Sequence, residues 1–218
     1  MRRLPSVARW ALLVLGIICA VVPGSQSAHA ESAADLAPVD VVAVSGLIDH
    51  VVVDEIETAL ERSTTNGAQA VVLQVNSRGA VVSPERFAEL LNNVAEASIP
   101  VAVWVGPTGA RAYGLSAQLL TVADVSAMAP GSRIGFTGKL LTVNGSEVSF
   151  GDADGTLRTS SLGFTEARER GALKYAKEDE GVPVVRNMLY ALVFSGRDRK
   201  STRLNSSHSQ QSRMPSSA

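Results

Sequence analysis

The chain has 218 residues, 45% hydrophobic and 19% charged, a composition suited to one globular domain with a sizeable apolar core and not to a disordered or fibrous chain. Its 20 Lys and Arg balance 21 Asp and Glu, so no basic field favours nucleic acid and none is expected as a partner. One cysteine, Cys19, excludes a disulfide framework, and three scattered histidines, His29, His50 and His208, argue against a His-rich zinc site; no metal or organic cofactor is expected.

Residues 1–30 read as an export signal. MRRLPSVARW supplies positive charge, ALLVLGIICAVV supplies about a dozen apolar residues, and Ala28-His29-Ala30 has the small-x-small pattern of a signal peptidase site, which predicts cleavage before Glu31. The apolar run falls short of the ~20 residues that span a bilayer as a helix; retention as an N-terminal anchor is the alternative outcome. Cleavage would remove Cys19, leaving the domain without a cysteine nucleophile, and a Ser-His-Asp triad would depend on His50.

In the body, VDVVAVSGLI (39–48) is a valine-rich run that predicts a buried strand. DEIETALERSTTNG (54–67) predicts a helix with Ile56, Ala59 and Leu60 on one face and a glycine stop. AVVLQVN (70–76) is the next strand. SPERFAELLNNVAEAS follows as a helix, with Ser83 as N-cap, Pro84 in the first turn and Phe87, Leu90, Leu91 and Val94 as its buried stripe. PVAVWVG (100–106) is a third strand, and ADVSAMAPGSRIG a short fourth one with a turn. Asn144-Gly145 within LLTVNGSEVSF (140–150) predicts a hairpin. FTEARERGALKYAKEDEG then reads as a charged surface helix and VPVVRNMLYALVF as a more apolar one. From Arg197 to Ala218 the chain is rich in Ser, Arg and Gln without apolar period, and is read as a disordered or foreign tail. The expected organisation is a signal over 1–30, one domain over 31–196 and a tail over 197–218.

Strands alternating with helices at this spacing predict an α/β domain of parallel units with right-handed crossovers, whose functional loops gather at the strand ends. Three such loops are NSRGA (76–80), GPTGARAYG (106–114) and APGSRIG (129–135). Glycine there lets the backbone approach a ligand and aim N–H groups at it, as in an oxyanion hole. Loops of this kind serve many α/β folds, so the residues alone leave the function open.

The order VSGLID, AVVLQVNSRGAVVSPERF, SIPVAVWVGPTGARAYG, VSAMAPGSRIG, from about Val39 to Gly135, resembles the membrane-associated ClpP-class serine peptidases of the NfeD family, within the Clp protease and crotonase superfamily. The later SLGFTEARERGALKYA resembles the superfamily's late helix more loosely. The resemblance implies a β-β-α superhelix with a mostly parallel sheet, a homo-oligomer, an extracytoplasmic membrane-associated setting, and peptide or membrane-protein segments as partners. It also implies peptide hydrolysis by a Ser–Lys dyad. The family's Asp-Thr-Pro-Gly-Gly loop falls on Asn76-Ser77-Arg78-Gly79-Ala80, which assigns Gly79 and Ala80, with Leu115, to oxyanion or peptide binding through main-chain N–H groups. The family's serine position falls on Gly114, which has no side chain to attack with.

Ser116 is the nearest replacement nucleophile, although two residues along a helix turn a side chain by about 200°, toward the opposite face. Lys139, in an apolar neighbourhood after APGSRIG, is the candidate base; Lys174 and Lys177 sit among acidic residues and read as solvated. Arg78 and Arg111 read as surface arginines or as partners for carboxylates near the site. Three functions follow: a catalytically impaired peptide-binding relative, an active endopeptidase using Ser116 and a lysine, and a crotonase-type acyl-thioester enzyme. Export argues against the last, because coenzyme A is a cytoplasmic metabolite.

Overall fold

The computed structural model describes residues 38–174, 181–188 and 192. They belong to one compact unit, Ala37–Ala218. The expected signal, its cleavage site, the 196/197 boundary, Lys177 and residues 189–191 and 193–194 of the second C-terminal helix lie outside the described residues.

The valine-rich runs form the strands that the sequence predicts. β1 (Val39–Ile48) and β2 (Ala70–Ala80) pair in parallel along their whole length, and β3 (Val101–Val105) pairs with the opposite edge of β2 over Val71–Val75. Between β1 and β2 runs α1 (His50–Thr65); between β2 and β3 runs α2 (Pro84–Ala95). Beyond β3 come β4 (Arg111–Tyr113), α3 (Leu115–Val122), β5 (Val125–Met128) and β6 (Arg133–Gly135). The hairpin of β7 (Thr142–Val143) and β8 (Ser146–Glu147) turns at Asn144 and Gly145, both at positive φ as that dipeptide predicts. The described chain continues through α4 (Asp154–Thr159), β9 (Ser161–Gly163) and α5 (Phe164–Glu169). The main sheet has seven strands, ordered β5-β3-β2-β4-β6-β9 with β1 on the other edge of β2, all parallel except β9 against β6.

Alternation along β2 divides the core in two. Val71, Leu73 and Val75 point into a large cluster with Phe87, Leu90, Leu91 and Leu119, while Ala70 and Val72 point with Trp104 and Ala127 into a smaller one completed by Val182, Met188 and Leu192. Trp104 Nε1 donates to the Val182 carbonyl at 2.8 Å, which ties the later chain to that face. Ser83 caps α2 by accepting from the Arg86 N–H, and the stripe of Phe87, Leu90, Leu91 and Val94 is buried as its spacing predicts.

Several boundaries differ from the sequence expectation. α1 begins at His50, four residues before the predicted start, because the Asp49 carboxylate accepts from the Val52 N–H and buries Val53. β2 runs through residues 76–80, expected as a loop, because β1 continues beside it and Ser77 pairs with Ala112 of β4. ADVSAMAPGSRIG, expected as one short strand with a turn, holds two strands, β5 and β6, separated by residues 129–132. The charged helix stops at Glu169, where Gly171, at φ 73°, reverses the chain and the Ala172 N–H returns to the Ala167 carbonyl.

α1 and α2 are joined by an ion-pair cluster. Arg86 binds both Glu57 oxygens, at 2.8 and 2.6 Å, and reaches Asp54 at 3.1 Å. Its guanidinium, followed by the Asn93 amide, holds the Glu57 carboxyl below the usual value of 4.5, against the opposing effect of burial. A carboxyl depressed in the folded state contributes stability above its unfolded value and loses it as pH falls through the folded one. Arg86→Leu is expected to cost about 1 kcal/mol in urea unfolding at pH 7, and the gap to the wild type to narrow below about pH 4. A gap unchanged by acid would show that Glu57 is not the partner that matters.

Candidate functional site

The site is built on one strand–turn–helix unit. β4 enters the turn at Tyr113, whose ring meets Phe136 edge-on at 5.1 Å, and α3 leaves it at Leu115. Gly114 at the apex has φ 63° and ψ −136°, a region L side chains rarely adopt, and its N–H donates to the Gly135 carbonyl at 3.0 Å. A sharp turn of this kind, from strand to helix with a strained residue at its apex, is how α/β hydrolases raise a nucleophile. A Cβ placed on Gly114 would lie 3.6 Å from the Gly79 Cα and 4.0 Å from the Phe136 carbonyl oxygen. Those are ordinary contacts, so space exists for a side chain there, directed at Gly79.

Gly79 lies opposite, near the end of β2. The β1–β2 register slips by one residue here: Gly46 pairs with Ser77 and Leu47 with Gly79, leaving Arg78 as a bulge. Buried Ser77 donates its hydroxyl to the Gly79 carbonyl at 2.8 Å and accepts the Gly79 N–H at 3.2 Å. The Gly79 N–H therefore already has a partner. The Leu115 N–H, at the first position of α3, has no acceptor among the described residues, as expected of a first-turn donor.

A cleft of about 710 Å³ opens beside this turn, and its lining includes Ala80, Val82, Leu115, Lys139, Leu140 and Leu141. Three of the sequence-predicted residues, Ala80, Leu115 and Lys139, thus share one wall system. The segment carrying Lys139 is held by Gln118 of α3, whose side-chain amide donates to the Thr137 and Lys139 carbonyls at 3.3 and 3.1 Å and whose oxygen accepts from the Leu141 N–H at 2.9 Å. Lys139 itself is exposed.

Ser116 does not reach the cleft lining. It is fully buried, and its hydroxyl donates to the Tyr113 carbonyl at 2.8 Å and the Ser77 carbonyl at 3.3 Å. This geometry ties the Gly114 turn to β2. Ser116→Ala is expected to cost about 1 kcal/mol in urea unfolding, the ordinary net worth of such a bond. A change below about 0.3 kcal/mol would show that the hydroxyl does not hold the turn. His50, expected at a strand end, opens α1 and is exposed, while Lys174 donates its ammonium to the Ala123 carbonyl at the end of α3.

The sequence assigns no role to Ser77, Gln118 or Gly135 individually, although Ser77 and Gly135 lie in two of its three loops. Gln118 carried a signal, being the one amide in the apolar helix LSAQLLTV. Gly135 acts on a segment distant in sequence, through the bond from the Gly114 N–H, and the Ser77 hydroxyl acts on Gly79 two residues on; the sequence marks the loops that hold them but not these roles.

The mostly parallel, curled sheet with these strand-end turns is a Clp protease/crotonase-like α/β fold. No protein-family model matches the sequence, and no curated protein matches it. Among solved structures, the chain is similar to the 1510-N membrane-bound stomatin-specific protease, as a lysine-to-alanine mutant in complex with a substrate peptide, at 20% identity and TM-score 0.55, covering 67% of this chain and 78% of that one. It is similar to the same protease from Pyrococcus horikoshii, specific for a stomatin homolog, at 18% identity and TM-score 0.55, over 71% of this chain and 78% of that one. An enoyl-CoA hydratase/isomerase from Marinobacter aquaeolei matches at 15% identity and TM-score 0.53, over 75% and 74%. At these identities the likeness is one of fold.

Proposed function

We propose that this chain is an exported, membrane-associated protein of the NfeD type on a ClpP-class serine-peptidase fold, impaired in hydrolysis, that binds peptide or membrane-protein segments at the cell envelope as a homo-oligomer. The observation that carries this reading is glycine at the apex of the β4–α3 turn, where a side chain would face Gly79. The neighbouring cleft, with an apolar wall of Val82, Leu115, Leu140 and Leu141, supports a peptide as the occupant. The solved relative that holds a substrate peptide, and is called membrane-bound, supports the same class of ligand and setting. The signal-like residues 1–30 support export.

In this reading a peptide lies in the cleft, and the Leu115 N–H, with Ala80 beside it, offers main-chain hydrogen bonding to a peptide carbonyl. At position 114 no hydroxyl is present to attack that carbonyl, so the polar contacts made there bind and do not lead to an acyl intermediate. The peptide leaves as it came.

The test is to incubate the full chain with a pool of octapeptides and follow both binding and cleavage, with a fluorophosphonate probe in parallel. Binding with intact peptides and no labelling is the expected result. Labelling or cleavage by the wild type that disappears in Ser116→Ala would overturn it in favour of an active endopeptidase.

A further inference from the structure

A second cleft, of about 540 Å³, lies toward the C-terminal ends of β1 and β2 and is lined by Gly46, Leu47, Asn76, Arg78, Gly109 and Arg111. Its chemistry is one-sided. Arg78 is the bulge residue between the Ser77 and Gly79 pairings, an exposed cation with no residue opposite it on β1. Arg111 is braced from behind: its Nη1 donates to the carbonyls of Gly109, Ala110 and Gly131 at 2.5, 3.1 and 3.3 Å. Asn76 accepts the Arg111 N–H on its oxygen at 3.1 Å, which leaves its amide N–H groups as the unused end. No acidic side chain lines the cleft. Two guanidinium groups and an amide thus line a shared space without a carboxylate, one guanidinium held in place by main-chain carbonyls.

The cleft also adjoins the turn described above. Leu47, 55% exposed, lines it, and the Leu47 Cδ2 stands 4.0 Å from a Cβ placed on Gly79. A chain lying across the Gly79–Gly114 contact therefore continues past Leu47 toward Arg78 and Arg111. The planar guanidinium fork matches a carboxylate in shape and charge, and an unpaired pair of them favours a negative partner over a neutral one.

We infer that the ligand of this protein is a carboxylate-bearing peptide, its acidic side chain or C-terminal carboxylate being received by Arg78 and Arg111 while the neighbouring chain occupies the Gly79–Gly114 turn; this rests on the peptide-binding reading above. The test uses three pools of acetylated octapeptides offered to the full chain at about 50 mM salt, where exposed charges are weakly screened. One pool is neutral with amidated C termini, one is neutral with free C-terminal carboxylates, and one carries a single Glu with amidated C termini. At least one carboxylate pool is expected to bind about tenfold more tightly than the neutral amide, as for one well-formed charged hydrogen-bonding contact. Whichever pool gains identifies the source of the carboxylate. In Arg78→Gln the preference for carboxylate over the neutral amide should fall to about twofold or less. Arg111→Lys keeps the charge but loses the fork, and should weaken the preference as well; if that variant does not fold, Arg78→Gln decides alone. Equal binding of all three pools, or a preference that survives Arg78→Gln, overturns the carboxylate inference and leaves peptide binding standing. Absence of binding by every pool overturns both.

Discussion

Gly114→Ser is expected to make the full chain react with a fluorophosphonate probe under conditions in which the wild type stays unlabelled. The reasons are geometric. A Cβ at position 114 meets nothing closer than 3.6 Å, and the atom it meets is the Gly79 Cα, so the new hydroxyl would stand at the cleft edge between β2 and the start of α3. The Leu115 N–H has no acceptor among the described residues, and Lys139 lines the same cleft as Leu115. The cost is backbone strain, because φ 63° with ψ −136° suits glycine and costs other residues about 1–3 kcal/mol. Gly114→Ala should show that same loss of stability without labelling, which separates strain from chemistry. Replacing Lys139 by Ala in the serine variant should reduce labelling about a hundredfold if its amine takes the serine proton. A folded Gly114→Ser protein that stays unlabelled would contradict the assignment of this turn as a nucleophile position.

Gly135→Ala is expected to be the most damaging small substitution near the site. A Cβ there would stand 2.2 Å from the Ser160 carbonyl oxygen and 2.6 Å from the Ser161 Cα, and Gly135 has φ 149°. The obstructing atoms are backbone, and the β6–β9 ladder holds them by pairing Gly135 with Ser161, so no side chain can rotate away. Overpacking and backbone strain together predict a loss of about 3 kcal/mol or more, read as a lower midpoint in urea. The loss would reach the site, since the Gly135 carbonyl accepts the Gly114 N–H. An Ala variant within about 0.5 kcal/mol of the wild type would show that β9 does not pack this closely.

The parts of the fold legible in the sequence are those decided by short-range patterns. The runs at 39–48 and 101–105 are valine-rich and bounded by Pro, Gly or Asp, and they form β1 and β3. Ser83-Pro84 caps α2 through a bond three residues away, and Asn144-Gly145 turns the β7–β8 hairpin within four residues. Misplaced boundaries share one cause. Residues 76–80 and 111–113 look like loops because their glycines and polar residues have little strand propensity, and they become strands by pairing with each other and with β1 and β6.

The same division runs through the site. Sequence alone determined that position 114 carries no side chain and that Ser116 sits two residues on, because these follow from residue identity and order; Gly79, Ala80, Leu115 and Lys139 entered as candidates through the family resemblance. Only the tertiary structure decided that Gly114 faces Gly79, that the Ser116 hydroxyl is spent on the carbonyls of Tyr113 and Ser77, and that Arg78 and Arg111 line one cleft. The reason is register. The single pairing of Ser77 with Ala112 aligns segments 35 residues apart, and the one-residue slip at Leu47 leaves Arg78 without a partner on β1; neither leaves a trace in local periodicity.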